Sequence, residues 1–71
     1  MNWDQIEANW NLLQGHARQH WGRLTDDDMA RVDGKRDKLV RSLVDRYNIA
    51  ADQAERQVDS WVRSLTRFRA A

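Results

Sequence analysis

The chain has 71 residues, which suffices for one small domain over residues 1–71 and leaves no room for a second. It contains no cysteine, so disulfide bonds and thiolate metal sites are excluded. Its 12 basic and 11 acidic residues give a formal net charge of +1, which argues against binding of nucleic acid or anionic lipid through the overall charge. The apolar fraction of 41% and the charged fraction of 32% are typical of a helical domain with one core.

The first predicted helix begins at Asn2, which forms a capping-box pattern with Gln5. Met1 and Ile6 stand at the positions of a hydrophobic staple. Apolar residues follow at steps of three and four, and this spacing places them on one helix face. Gly15 weakens the middle of the helix and predicts a bend there or the close approach of another helix. The apolar residues are Trp3, Ile6, Trp10, Leu13, Ala17 and Trp21.

Three adjacent aspartates, Asp26 to Asp28, follow Gly22, which we expect to end the first helix in a left-handed conformation. Adjacent carboxylates suit a metal site, a catalytic cluster or the first turn of a helix. Thr25 precedes them as an N-cap, and the free N–H groups of a helix start favour negative charge. Leu24 and Met29 occupy the staple positions. The triplet is therefore predicted to open the second helix, because adjacent helical side chains diverge too much to surround Ca²⁺ or Mg²⁺.

The second helix is predicted to end near Val32 or Asp33, with Gly34 allowing the chain to turn. Asp33 is the expected cap of the third helix. Asn48 follows that helix and tolerates the left-handed conformation that ends helices. The apolar positions of the third helix are Leu39, Val40, Leu43, Val44 and Tyr47.

The fourth helix carries the longest apolar stripe, and Gln53 stands where a capping-box partner belongs. Ala50 occupies the cap position and offers no side-chain oxygen, so we expect this to be the weakest helix start. The turns WGRLTDDDM and YNIAADQA repeat the same order of parts, which predicts an all-α fold of four helices as two packed helical hairpins. The stripe of the fourth helix consists of Ala51, Ala54, Val58, Trp61, Val62, Leu65 and Phe68.

Five segments resemble the CsbD-like family of small bacterial general stress proteins. The resemblance covers about residues 2 to 62 and implies a compact array of four helices with a sterile-alpha-motif-like arrangement. It also implies bacterial cytoplasmic origin and accumulation under stress, and it supplies no substrate or catalytic residue. Asn48 and Ala50 depart from the family pattern, at the turn into the last helix. The segments are NW at 9–10, the glycine at 15, WGRLTDDDM at 21–29, GKRDKLV at 34–40 and RYNIAADQAERQV at 46–58.

The turn DGKRDK places backbone N–H groups beside Lys35, Arg36 and Lys38. Helix–hairpin–helix proteins, to whose architecture that of the family is related, hold DNA phosphates in this way. Such hairpins usually carry two glycines, whereas this one has Gly34 alone, and neighbouring aspartates offset its charge. We therefore keep weak, non-specific nucleic-acid binding as the alternative function.

A second basic cluster comprises Arg63, Arg67 and Arg69 near the end of the last helix. Cations at this place also complement the negative end of the helix dipole, which is the structural explanation of the cluster. The candidate contacts to a phosphate or to a partner are therefore Lys35, Arg36, Lys38, Arg63 and Arg67.

His16 and His20 are spaced i, i+4 and can face the same way. The segment HARQH lacks the glutamate of a zinc-protease motif, and a metal site needs three or four ligands. We expect two surface histidines and no metal or other cofactor. Trp10, Trp21 and Trp61 lie on apolar stripes and are expected in the core, with Trp3 partly exposed.

Catalysis finds no support, since the chain offers no cysteine nucleophile, no phosphate-binding glycine loop and no nucleophile elbow. No basic and apolar leader opens the sequence, and no apolar run approaches the ~20 residues of a membrane span. The prediction is a cytoplasmic, non-enzymatic stress-response protein that acts by binding an unidentified partner, as a monomer or a weak homo-oligomer. Self-association through uncovered apolar surface is the further alternative.

Overall fold

The computed structural model describes the backbone of residues 2–70 and the side chains of residues 2–65. It consists of five α-helices, and no strand occurs within the described residues. The all-α prediction is confirmed, whereas the predicted number of four helices is wrong. The helices are α1 (Trp3–Ala8), α2 (Trp10–His20), α3 (Asp26–Val32), α4 (Arg36–Tyr47) and α5 (Ala51–Ala70).

The first predicted helix is divided at Asn9, which separates α1 from α2. Asn9 has φ −112° and ψ 24°, outside the helical region, and its side-chain N–H donates to the Gln5 carbonyl oxygen at 2.8 Å. This bond occupies a carbonyl at the break, so an Asn side chain stabilises the bend. α2 continues unbroken through Gly15, and the close approach expected there is absent, because no atom of a neighbouring element lies within 4 Å of a Cβ built at this position.

The start of α1 matches the sequence prediction and the start of α4 does not. Asn2 accepts from the Gln5 N–H at 3.0 Å, while the Gln5 side chain accepts from the Asn2 N–H at 3.1 Å. The staple partner Met1 lies outside the described residues. Lys35 rather than Asp33 is the N-cap of α4, and it provides no side-chain cap. Asp33 instead takes the left-handed conformation (φ 46°) that ends α3.

The turns that connect the helices use left-handed residues at only some of the predicted places. Asn48 ends α4 with φ 55°, as predicted. Gly22 does not have a positive φ, so the prediction that it ends the first helix in a left-handed conformation is wrong. Gly34 has φ +81°, and its carbonyl oxygen accepts the Trp3 indole N–H at 2.8 Å. The positive φ favours glycine at this turn, where α1 lies close to the chain.

One apolar cluster draws on all five helices, and the predicted stripes supply it. Trp61 lies 5.3 Å from Trp21 and 6.4 Å from Trp3 between ring centroids, so α5 meets both α1 and the end of α2. Ala51 is exposed and does not belong to the stripe, and the side chain of Phe68 lies outside the described residues. The buried apolar residues are Ile6, Trp10, Ala17, Trp21, Leu24, Met29, Val32, Leu39, Leu43, Ala54, Val58, Trp61 and Leu65.

α4 packs against both α3 and α5, while α1 packs on α2. The radius of gyration is 11.3 Å, close to the ~11 Å of a compact chain of this length, so the helices share one core. The sterile-alpha-motif-like pairing of two hairpins stays a prediction. None of the helices within the described residues combines the length and the apolar character that a membrane span requires.

Candidate functional site

The three aspartates lie in the first turn of α3, as predicted. The Thr25 hydroxyl oxygen accepts from the Asp28 N–H at 3.1 Å, and the Asp28 carboxylate accepts from the Thr25 N–H at 3.0 Å. This reciprocal pair is a capping box that satisfies two N–H groups of the helix start. Asp26 and Asp27 are exposed, whereas Asp28 is only 2% exposed. The triplet therefore opens a helix, and Asp26 also borders a surface depression beside α2, where it pairs with Arg18.

Asp28 also anchors α4, which the sequence analysis missed. The Arg46 guanidinium donates from Nε and Nη2 to the two carboxylate oxygens of Asp28, at 2.8 Å and 3.1 Å. The hydrogen bond from Arg46 is the main reason that the pKa of Asp28 is lowered, and it raises the pKa of Arg46 in turn. A signal existed in the sequence. The acidic first turn of α3 can lie beside the basic last turn of α4, which is the next helix along the chain. Both oxygens of Asp28 are thus engaged in structural contacts.

The turn proposed to hold phosphate lies against the protein's own first helix. A Cβ built on Gly34 falls 2.9 Å from Glu7 Cγ and 3.1 Å from Glu7 Cα. The Glu7 carboxylate accepts a hydrogen bond from Lys35, and this carboxylate raises the pKa of Lys35. An internal carboxylate therefore occupies the position beside Lys35 where an external phosphate was expected.

Arg36 is directed toward α5. Its guanidinium donates to an Asp59 carboxylate oxygen at 2.9 Å, lies 3.7 Å from the Glu55 carboxylate and sits 5.9 Å from the centroid of the Trp3 ring. These contacts tie α4 to α5 and cover Trp3. Arg63 is exposed on α5, and the side chain of Arg67 lies outside the described residues. The predicted contacts thus do not gather at one place within the described residues.

Lys38 lies in a different setting, in a groove where α3 meets α4. The groove has a volume of about 560 Å³, and Arg31, Lys38 and Arg41 contribute cations to it. All three side chains are exposed, and none of them has an ion-pair partner among the described residues. We call this surface the α3–α4 groove. Its lining residues are Arg31, Asp37, Lys38, Arg41, Ser42 and Asp45.

His16 and His20 lie on one side of α2, as their spacing predicted, and both are exposed. They border a depression of about 410 Å³ together with Trp61 and Leu65. The His20 ring stands edge-on to the Trp21 ring, with the centroids 4.7 Å apart. Within the part of the chain that the structure describes, no third His, Cys, Asp or Glu side chain joins them in a metal-binding group.

Comparisons with known proteins show relatives of this chain by sequence. UPF0337 protein YjbJ of Escherichia coli strain CFT073 is 49% identical over 61 residues, which cover 86% of this chain and 88% of that protein. UPF0337 protein RPA4217 of Rhodopseudomonas palustris is 42% identical over 65 residues, covering 92% and 98%. No solved structure matches the chain at a significant level. Because a family model described as CsbD-like matches residues 4–56, this chain belongs to the CsbD-like family.

Proposed function

We propose that this chain is a bacterial general stress-response protein that acts in the cytoplasm by binding an anionic partner and does not catalyse a reaction. The family resemblance supports the role in stress. The α3–α4 groove supports binding, and it is the observation that carries the proposal, because its three exposed cations have no ion-pair partners among the described residues and outnumber the two carboxylates, Asp37 and Asp45, that line it. Exposed cations of this kind attract an anionic partner and orient its approach.

The non-enzymatic part of the proposal is supported by the chemistry of the buried groups. Asp28 is the one charged side chain among the described residues that is buried, and Thr25 and Arg46 engage both of its carboxylate oxygens. A general base needs an oxygen or nitrogen with access to the substrate proton, which Asp28 does not offer. Within the described residues, no buried side-chain nitrogen or oxygen lacks a hydrogen-bond partner.

Crosslinking capture from stressed cells, with and without nuclease, tests the proposal. We expect Lys38→Glu to lower the recovery of a direct partner several-fold, because the substitution places a negative charge in the α3–α4 groove. Arg56→Glu is the matched control, since Arg56 is an exposed cation of α5 that does not line the groove. Equal recovery with both variants would contradict the proposal, as would recovery unchanged by Lys38→Glu.

Weak nucleic-acid binding is the second candidate, and the same three cations favour it. If each of them neutralises one phosphate, the logarithm of the duplex DNA affinity falls with that of salt with a slope of about −3. Lys38→Glu is then expected to flatten this slope by about one unit, whereas Arg63→Glu tests the cluster on α5. No shift of DNA or RNA in low salt at about 50 µM protein, within the usual range for non-specific binding, would exclude it.

We further infer that the helices adopt the sterile-alpha-motif-like pair of hairpins that the family resemblance implies. The packing of α4 against both α3 and α5 supports this arrangement. Interhelical distances measured by nuclear magnetic resonance would test it, and parallel neighbours in place of antiparallel ones would contradict it.

A further inference from the structure

The α3–α4 groove carries charges of both signs in a definite order. Asp37 is the first of its lining residues along α4 and Asp45 is the last, so a carboxylate stands at each end. Lys38 and Arg41 lie between them on the same helix, and Arg31 joins them from α3. The rise of an α-helix separates the two aspartates by about 12 Å along its axis. The groove therefore has a positive centre between two negative ends.

Neither of these aspartates is engaged in an ion pair inside the protein. Asp37 and Asp45 are exposed, and neither pairs with any residue that the structure describes. Arg41 lies one turn from each of them on α4 and pairs with neither. Asp45 also stands in the last turn of α4, where the helix dipole disfavours a negative charge. The stability of the monomer thus does not explain the carboxylate at this end of the groove.

A continuous polyanion fits this order of charges poorly. Duplex DNA carries one negative charge per about 1.7 Å of its axis, so a backbone that reaches the central cations also brings phosphates toward the carboxylates at both ends. Like charges that face each other across an interface oppose binding and discriminate against that partner. The groove is therefore suited to a partner whose negative charge is confined to its centre.

We propose that the α3–α4 groove binds a protein segment with an acidic centre and basic flanks, and that Asp37 and Asp45 select this segment over nucleic acid. The acidic side chains of the segment meet Lys38 and Arg41 while its basic side chains meet the two aspartates, so the charges along α4 are matched by opposite charges. A helix supplies this order, because residues at steps of three and four share one face. The inference rests on the function proposed for the groove and names the class of its partner.

Two synthetic alanine-rich helical peptides of identical composition test this order of charges. The first carries two glutamates in its middle and a lysine one turn beyond each of them, and the second exchanges the lysines with the glutamates. At low salt and about 1 mM peptide, a concentration suited to a small charged contact, we expect the first peptide to shift the amide resonances of Lys38, Arg41 and Asp45. The second peptide should bind at least about fivefold more weakly, because it places like charges together. A short duplex DNA is the polyanion probe and should also bind more weakly than the first peptide.

Removal of both carboxylates tests their part in the selection. The double substitution Asp37→Asn and Asp45→Asn is expected to weaken binding of the first peptide at least about threefold and to tighten binding of the duplex DNA at least about threefold. Asp4→Asn combined with Asp27→Asn is the matched control, because it changes the net charge equally. Asp4 and Asp27 are exposed, lie outside the groove and form no ion pair among the described residues. The control should keep the preference of the wild-type chain.

Equal binding of the two peptides, or no binding of either, overturns the proposal. Wild-type binding of the duplex DNA as tight as that of the first peptide overturns it as well, and so do equal changes in the double variant and its control. Lys38→Glu reports separately on the function proposed for the groove. Partner capture that Lys38→Glu lowers, together with peptides that bind equally, rejects the charge selection alone, whereas capture that Lys38→Glu leaves unchanged rejects the binding function of the groove.

Discussion

At the scale of single residues, three neighbouring aspartates have different surroundings. Asp26 and Asp27 are exposed, while Asp28 is buried and joined to Thr25 and Arg46. The difference follows from the helical period, which turns the third residue of α3 toward the packed side of the helix. Asp28 thus serves two purposes, since it caps its own helix and holds the last turn of α4.

Asp28→Asn is expected to lower the free energy of unfolding at pH 7 by about 1.5–3 kcal/mol, the range for hydrogen bonds to charged groups. The amide keeps the shape and part of the cap but cannot accept both bonds from Arg46. Asp27→Asn is the matched control, because Asp27 is exposed one position away, and we expect a change within about 0.5 kcal/mol. Urea unfolding measures both, and equal effects would contradict the structural role of Asp28.

The stabilisation from Asp28 is also expected to depend on pH. Its pKa is lowered in the folded chain, mainly by the hydrogen bond from Arg46, so the unfolded chain binds the proton more readily. The contribution is therefore fully present above the unfolded-state value, 3.8, and is lost as the pH falls through the lower folded-state value. The difference between wild type and Asp28→Asn should narrow over this acidic range in urea titrations. A difference that is constant from pH 7 to about pH 2 would refute the assignment.

Gly34→Ala is expected to destabilise the fold by about 2–4 kcal/mol, since a positive φ and an overpacked contact each contribute strain. The new methyl group would meet Glu7 at its Cγ, its Cα and its carbonyl oxygen, and the last two belong to the backbone and cannot easily move. Gly22→Ala, which meets no atom within 4 Å, should be near neutral. Thermal unfolding compares the two variants, and similar unfolding temperatures would contradict the predicted steric strain at Gly34.

At the scale of helices, the start of α5 lacks the cap that α1 and α3 possess. The Ala54 N–H donates to the Ala50 carbonyl oxygen at 3.0 Å, which places Ala50 at the N-cap position of α5. Asn2 and Thr25 fill the corresponding positions of α1 and α3 with side-chain oxygens. The N–H groups in the first turn of α5 receive no such oxygen from Ala50.

Ala50→Asp is expected to stabilise the protein by about 0.5–1.5 kcal/mol, because the carboxylate can accept from the first-turn N–H groups and complements the helix dipole. Ala51→Ser, one position later, is the control and should gain nothing, as serine is a poorer helix former than alanine inside the helix. Amide hydrogen exchange at the start of α5 offers the local measurement. Unchanged protection of these amides from exchange in Ala50→Asp would contradict the prediction that the start of α5 gains stability from a side-chain cap.

At the scale of the whole molecule, one tryptophan links segments that are distant in sequence. Trp61 of α5 contacts Trp3 of α1 and Trp21 at the end of α2, with centroid distances of 6.4 Å and 5.3 Å. The Trp21 indole N–H donates to the Gln57 side chain at 3.1 Å, and that of Trp10 donates to the Met29 carbonyl oxygen at 3.2 Å. The aromatic rings therefore bury large areas while their N–H groups remain satisfied.

Trp61→Ala is expected to remove about 3–5 kcal/mol of stability, as is typical of a buried tryptophan. A chain of this length has a total free energy of unfolding of only roughly 4–10 kcal/mol, so the variant should be partly unfolded at ambient temperature. Trp3→Ala serves as the comparison. Because Trp3 is half-buried, this substitution should lower the free energy of unfolding by less than Trp61→Ala does. Circular dichroism and urea titration would check this order, and a fully stable Trp61→Ala would show that the core does not centre on this ring.

The sequence by itself determined the all-α class, the apolar faces of the helices, the capping box at Asn2, the N-cap at Thr25 and the left-handed end at Asn48. These features depend on spacing and on neighbours within a few residues, where propensity and capping operate. The relation to the CsbD-like family was also readable from local segments. The same reasoning missed the break at Asn9, since the bond from the Asn9 side chain to the Gln5 carbonyl oxygen competes with a helical pattern that continues on both sides.

Only the tertiary structure decided which charged residues are free to act. Lys35 and Arg36 resemble surface cations in the sequence. In the structure, Lys35 pairs with Glu7, which lies 28 residues earlier in the chain, and Arg36 pairs with Asp59, which lies 23 residues later. Lys38, by contrast, lies with other unpaired cations in the α3–α4 groove. Local patterns cannot reveal such pairs, because the packing of distant helices determines which side chains meet and which remain exposed to a partner.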